Sequence, residues 1–384
     1  MKKSPQAFSL FPALFASKSL LLPLLVSLLL PLSGARAQSF SGEVAAAPVL
    51  TVMERVADWQ LANPSRHPST DWTQGAGNAG LMALAGISRQ PQYTAAMLDM
   101  GQKNAWQLGP NPYHADDHVI GQTYAELFFK FRDPKMIAPM RARFDDILAN
   151  PREGTMEFTV PGNQDRWSWC DALFMAPPAW LRLSSATGDT RYRELAIKHW
   201  WRTSDYLYDK EEHLYFRDSN YFNKREANGK KVFWARGNGW VMGGLVRVLQ
   251  HLPATHPSRP RFIEQYQQMS AKLLTLQQAD GLWRASLLDA ASYPMRESSG
   301  SAFYTYAFAW GVNEGLLERA IYGAAVRRAW TALVSNVQAD GKLTYVQPIG
   351  LAPKSFDPDL TEIYGVGGFL LAGSEVHRMA LGVK

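Results

Sequence analysis

The chain of 384 residues contains a single cysteine, Cys170. No intramolecular disulfide can form, so stability has to come from a packed core. Zinc-type spacing of His and Cys is also missing. His114, Asp116, Asp117 and His118 are the one grouping that suggests a metal, and neither a metal nor a cofactor is expected from it. Basic charge is thinly spread. The densest run, Lys224 to Lys231, holds four basic residues and one Glu, which excludes a nucleic-acid-binding stripe. Beyond the first 37 residues no stretch is apolar enough to cross a bilayer. Charged and low-complexity tracts are absent too, and at 46% apolar residues the chain can fill a large core.

The N-terminus has the layout of an export signal. Lys2 and Lys3 precede an apolar stretch from about Leu20 to Leu32, and Ala35-Arg36-Ala37 offers a small-x-small cleavage site before Gln38. The competing reading is an uncleaved membrane anchor, but the stretch is short and interrupted by Pro23 and Pro31. Residues 1–37 are therefore expected to be a signal peptide, and 38–384 a single domain with no stable membrane association after cleavage. The product would be periplasmic or secreted. Loss of Lys2, Lys3, Lys18 and Arg36, with no acidic residue beside them, lowers the net charge from +6 to +2. That is compatible with an acidic ligand without being evidence for one.

Internal similarity organises the remainder. Gln278-Ala279-Asp280-Gly281 recurs sixty residues later as Gln338-Ala339-Asp340-Gly341, each after a helical pattern and before a short extended stretch. Asp209 to Phe216 ends an earlier helix in a similar way. Asp-Gly is turn chemistry that stops a helix and reverses the chain. Two kinds of helix alternate between such turns. Six are rich in Gly and Ala and apolar nearly all round, over about 75–87, 117–131, 171–184, 238–251, 300–316 and 364–380. Six are striped, over about 46–62, 91–107, 135–149, 189–207, 260–278 and 320–338, with Gly188-Asp189 as an N-cap signal for one of them. Helices apolar all round are buried, and striped ones keep a wet face. Six inner and six outer helices in alternation predict an all-α fold, the (α/α)6 barrel. An open helical solenoid is the competing architecture, although its repeats are usually more uniform.

The segments leading into the inner helices carry the unusual chemistry. Trp169-Cys170-Asp171-Ala172-Leu173-Phe174-Met175 sets one carboxylate among indole, thiol, aromatic and thioether groups. Burial there raises a carboxyl pKa, as a general acid requires. A helix N-terminus favours the ionised form and limits the rise. Tyr113-His114-Ala115-Asp116-Asp117-His118 and Trp234-Ala235-Arg236-Gly237-Asn238-Gly239-Trp240 are further segments of this kind. So are Glu297-Ser298-Ser299-Gly300-Ser301 and Thr361-Glu362-Ile363-Tyr364-Gly365. In a barrel they converge at one end, where several helix N-termini and Arg236 favour an anion. Each also has a plainer reading: Asp171, Asp116 or Asp117 as N-caps, Trp169 and Trp240 as core, Arg236 in a buried ion pair. Thirteen Trp add to the case, because an indole stacks on the apolar face of a sugar.

On these residues the chain resembles the unsaturated rhamnogalacturonyl hydrolases of glycoside hydrolase family 105 and, more distantly, the unsaturated glucuronyl hydrolases of family 88. The motifs are Trp169 to Met175, Arg236-Gly237-Asn238-Gly239-Trp240, His114-Ala115-Asp116-Asp117 with Gly121, and Tyr364-Gly365-Val366-Gly367, and the likeness spans about 45–380. It implies the same barrel and an unusual reaction. A 4,5-unsaturated uronic acid at the non-reducing end, left by a polysaccharide lyase, is hydrated at its vinyl ether. An acid protonates C4, water adds at C5, and the resulting hemiketal opens with loss of the glycosidic bond. The likeness puts the catalytic aspartate at Asp171 and a second at Asp117 or Asp116, with Asp117 favoured because Gly121 follows it by four. Trp169, Met175, Trp234, Arg236 and Trp240 match positions around the sugar, with His114 beside them and Trp72 at the pocket mouth.

One departure stands out. Related enzymes carry a histidine after a Leu-Tyr pair, whereas this chain reads Leu214-Tyr215-Phe216-Arg217-Asp218. Arg217 could bind a carboxylate or a sulfate, or pair with Asp218, and the leaving sugar is open. The expected partner is an acidic unsaturated oligosaccharide, with a rhamnogalacturonan or pectin-type source expected. The alternatives are a conventional inverting glycosidase, which needs two carboxylates about 6.5–9.5 Å apart, a sugar epimerase on the same barrel, and a non-catalytic sugar-binding protein.

Overall fold

Segments apolar on every side alternate along the chain with striped ones, and that alternation builds the fold. A computed structural model describes residues 40–382, so the expected signal segment 1–37 lies outside the described residues. In chain order the helices are α1 (Ala46–Ala62), α2 (Trp72–Ile87), α3 (Gln92–Lys103), α4 (Ile120–Phe131), α5 (Ala138–Ala149), α6 (Ala172–Met175), α7 (Pro177–Thr187), α8 (Thr190–Leu207), α9 (Ala235–Leu249), α10 (Arg259–Leu276), α11 (Ser298–Asn313), α12 (Arg319–Val334) and α13 (Ile363–Leu381). Every residue of α9 and α11 is buried, whereas α1 buries only Val49, Val52, Met53, Val56, Ala57 and Gln60. That spacing of three and four is the core-facing stripe of an outer helix.

The inner helices close a ring. α2 packs on α4, α4 on α7, α6 and α7 on α9, α9 on α11, α11 on α13, and α13 returns to α2. The return contact decides against an open solenoid. It depends on glycine, because a Cβ at Gly80 would run into the Gly367 carbonyl and one at Gly367 into that of Ala76. Outer helices α1, α3, α8, α10 and α12 lie on α13, α2, α7, α9 and α11. The chain is thus an (α/α)6 barrel.

The repeated turns share one geometry. Gln278 N–H donates to the Leu282 carbonyl at 2.9 Å, and Gln338 N–H to that of Lys342 at 2.8 Å. Gly281 and Gly341 take φ values of +90° and +105°, where glycine is favoured. The related turn at 209–216 is built as a short hairpin, β1 (Tyr208–Asp209) against β2 (Leu214–Tyr215). Asp189 caps α8 by accepting from Arg191 N–H.

Two expected inner helices differ in detail. Residues 115–118 form a 3-10 turn, and the helix expected from 117 starts at Ile120. The helix expected over 171–184 is broken at Ala176 into α6 and α7, because Pro177 and Pro178 have no N–H to donate to the preceding turn.

Candidate active site

Asp171 stands at the head of α6 in helical conformation and caps nothing: its side chain accepts no helix N–H. The N-cap reading therefore falls away, and the carboxylate is left for other partners. α6 has only four residues, so the expected helix-end field is small, and side chains supply the positive charge instead. Arg217 Nε lies 3.8 Å from Asp171 Oδ2, and the Cys170 thiol reaches the same oxygen at 3.4 Å. Burial raises the pKa of Asp171, while Arg217, the Cys170 hydrogen bond and Arg236 pull against that rise.

Arg217 comes from the segment after β2. Its Nη1 donates to Asp218 at 2.6 Å, so the Asp218 pairing is real, and its guanidinium covers the Phe158 ring at 4.6 Å. Its Nε has no hydrogen-bond partner despite being buried. The residue thus faces Asp171 and Asp218 together.

The neighbouring aspartates divide sharply. Asp117 takes a hydrogen bond from Asn111 at 3.2 Å and lies 3.4 Å from His114 Nδ1. It packs so tightly on the Gly109 turn that a Cβ there would collide with its carboxylate. Burial pushes its pKa up, but the His114 and Asn111 bonds outweigh it and the net shift is downward. Asp116 has only the looser His114 contact, at 4.0 Å. Burial pushes its pKa up to about 7; His114 opposes this, and the charges of Asp171 and Asp117 reinforce it. The charge of Asp171 thus acts on Asp116, whereas the main influences on Asp117 come from His114 and Asn111. His114 is held toward its charged form: burial lowers its pKa, but the two aspartates reverse the shift.

Trp72, His114, Asp116 and Asp117 line one cavity of about 620 Å³, together with Asp71, Leu108 and Asn111. Trp72 stacks on Tyr364 at 5.2 Å. Trp169, Met175, Trp234 and Trp240 are each at most 2% exposed, so they back the site and offer almost no free surface. Trp169 lies against His114 at 5.0 Å, and Trp240 packs between Phe174 and Phe303.

Arg236 opens α9, and no ion pair holds it among the described residues. Its Nη1 donates to the Gln347 carbonyl and its Nη2 to that of Pro348 at 2.8 Å, while the guanidinium lies over Trp234 and Tyr364 at 4.4 and 5.0 Å. The fork expected to grip a carboxylate is thus occupied by backbone, and Nε is left buried and unpartnered. Sequence reasoning did not single out Gln347, Asn111 or Phe158, which sit in irregular segments with no periodicity to mark them. Tyr364 was visible as part of its glycine motif. Among the described residues no three His, Cys, Asp or Glu side chains group to hold a metal ion.

Comparison with known proteins shows the family. The model of Glycosyl Hydrolase Family 88 matches residues 49–380. An unsaturated 3S-rhamnoglycuronyl hydrolase of Formosa agariphila is 38% identical over 339 residues, covering 85% of this chain and 90% of that protein. A protein of the same name from an Alteromonas species is 36% identical, covering 84% of each. Among solved structures, a glycosyl hydrolase family 88 protein from Bacteroides vulgatus superposes with a TM-score of 0.80 at 30% identity, over 87% of this chain and 99% of its own.

Proposed function

The chain belongs to glycosyl hydrolase family 88 and is a glycoside hydrolase that removes an unsaturated uronic acid from oligosaccharides; within that reaction we propose that Asp171 and Asp116 act as a pair sharing one proton. The observation that carries this is a shortage of partners at both carboxyls: Asp171 caps nothing and has Arg217 Nε only at 3.8 Å, Asp116 has His114 only at 4.0 Å, and burial raises both, with the charge of Asp171 adding to the rise at Asp116. Such groups lose their protons as a unit, and the last one is held toward neutral pH. Asp171 gives the proton to C4, and the electrons of the double bond form the new C–H bond. Positive charge develops at C5 and the ring oxygen. The carboxylate then takes a proton from the water that adds at C5. The hemiketal opens, the C1–oxygen bond breaks, and the leaving sugar departs with its hydroxyl restored. Asp117, pinned by Asn111 and His114, orients the turn that carries Asp116.

Arg217 bears on the leaving sugar. A buried cation with an unpartnered Nε beside the reacting group suits a sulfate ester better than a neutral hydroxyl. Both curated relatives are named unsaturated 3S-rhamnoglycuronyl hydrolase. These points support an unsaturated uronyl residue on a 3-sulfated rhamnose, in preference to the pectin-type rhamnose that the motifs alone suggest. Export rests on the Lys2-Lys3 start, the apolar stretch and the Ala35-Arg36-Ala37 site; sequencing the mature N-terminus should return Gln38.

The test is a panel of unsaturated disaccharides followed by loss of the ultraviolet absorbance of the conjugated double bond. Turnover should favour the 3-sulfated rhamnoside over its desulfated counterpart. Equal rates on both would remove Arg217 from the argument, and no turnover of any unsaturated substrate would remove the reading of the pair.

A further inference from the structure

The break in the third inner helix raises the question of what fixes Asp171 in place. In a continuous helix the Phe174 carbonyl would accept from the residue four positions on, but that residue is Pro178, which has no N–H. The Met175 carbonyl loses its partner as well, since Ala179 N–H turns to the Ala176 carbonyl at 2.9 Å. Buried carbonyls need replacement donors. Gln122, fully buried on α4, supplies them: its Nε2 donates to the Phe174 carbonyl at 2.8 Å and reaches that of Met175 at 3.5 Å.

The amide cannot be turned round. Its Oε1 faces Arg247 Nε, which can only donate, so Nε2 must face the carbonyls. Arg247 is itself held by Glu126 at 2.6 Å, and Glu126 also accepts from Arg182 Nε at 2.8 Å. One turn connects this anchor to the reacting group, since Phe174 N–H donates to the Asp171 carbonyl at 3.0 Å. α4 also follows directly on the 3-10 turn that carries Asp116. A single side chain therefore spans from the element after Asp116 to the element headed by Asp171.

We propose that Gln122 is a positioning residue for the reaction: its carboxamide, oriented by Arg247, gives the Phe174 and Met175 carbonyls the donor that Pro178 and the break at Ala176 deny them, and so fixes Asp171 relative to the turn that carries Asp116. The proposal rests on the reading of that pair as the proton donor. Parent activity on the unsaturated substrate tests that reading, and the variant-to-parent ratio tests this one.

Two variants decide it. Gln122→Met keeps the volume and removes the donor; kcat should fall roughly tenfold to hundredfold, the cost of a misplaced reacting group, while KM stays within about twofold. Gln122→Glu keeps the partner for Arg247, and its ionised carboxylate donates nothing to Phe174. On protonation it donates again, so its kcat relative to the parent should climb as pH falls. A space-filling side chain would show no such recovery. The proposal is overturned if Gln122→Met keeps kcat within about threefold of the parent, if the Gln122→Glu ratio is flat with pH, or if neither variant shows the helical circular dichroism of the parent.

Discussion

The barrel holds two clusters of buried charge, one at each end of the inner helices, and they use the same side chains to opposite effect. At the starts of these helices Asp116 and Asp171 face Arg217 and Arg236. Toward their far ends Glu126 faces Arg182 and Arg247. Burial pushes all three carboxyls upward, yet Asp116 and Asp171 finish raised and Glu126 finishes lowered. The difference is pairing. Glu126 accepts from both arginines at 2.6 and 2.8 Å, and Arg182 also donates to the carbonyls of Pro178 and Arg247. At the other end Arg217 spends its close contact on Asp218 and Arg236 spends both Nη groups on backbone, so the carboxylates that matter are left short of partners. Cavity size does not separate the two ends, at about 620 and about 550 Å³. Unmet electrostatic demand does, and that is the mark of a site built for chemistry.

The largest effect that would sharpen this contrast is loss of the proposed acid. Asp171→Asn should lower turnover by about 10³-fold, within the range general acid–base catalysis supplies, with helical circular dichroism unchanged. A variant that keeps its rate would end the assignment.

At the far end the same type of change should act on stability. Glu126→Gln leaves two buried guanidinium groups without a counter-charge, which costs about 3 kcal/mol and is read as a fall in Tm. Because Glu126 is depressed on folding, its contribution is present above the ordinary carboxylate range and fades as pH falls through its lower folded value. The gap in Tm between parent and variant should therefore narrow in acid. A constant gap would mean that packing, not charge, is responsible.

Much of this was legible beforehand, for identifiable reasons. Twelve helical segments could be read because apolar periodicity and the repeated Gln-Ala-Asp-Gly turns are local signals. Ring closure was legible only as a count; the contact of α13 with α2 depends on Gly80 and Gly367, nearly three hundred residues apart. The family could be read from Trp169 to Met175 and from Arg236 to Trp240. Pro177 and Pro178 were in plain view, and the split they impose was not drawn from them, because the apolar pattern runs straight through the break. The difference in surroundings between Asp116 and Asp117 was beyond sequence reasoning, which favoured Asp117 as the second catalytic aspartate because Gly121 follows it by four. That difference depends on where Asn111 and the Gly109 turn fall in space, and neighbouring aspartates carry no pattern to separate them.

Asp116→Asn tests the coupling. Burial holds the Asp116 proton up to about pH 7, so a pair acting as a unit should put the alkaline limb of kcat near there. With one carboxylate gone the limb should move to lower pH. Stability should move the other way. Asp116 is raised on folding, so the stability it allows is complete below its unfolded value and is lost as pH rises through about 7. The variant should match the parent near pH 4 and exceed it at pH 8, read as a higher Tm. An unmoved limb would break the pair into independent groups.

The smallest effect distinguishes the two neighbours. Asp117→Asn keeps the shape that packs on Gly109, and the new amide can still accept from Asn111. It removes only the charge that steadies His114, whose own pKa should then fall because burial is less opposed. Turnover should drop by about threefold, with the alkaline limb in place, since the proposed pair assigns that limb to Asp116 and Asp171. If Asp117→Asn instead moved the limb and Asp116→Asn left it alone, the roles of the two aspartates would be exchanged. The Asn111 and His114 contacts would then be the grip on a catalytic group rather than the anchor of a turn.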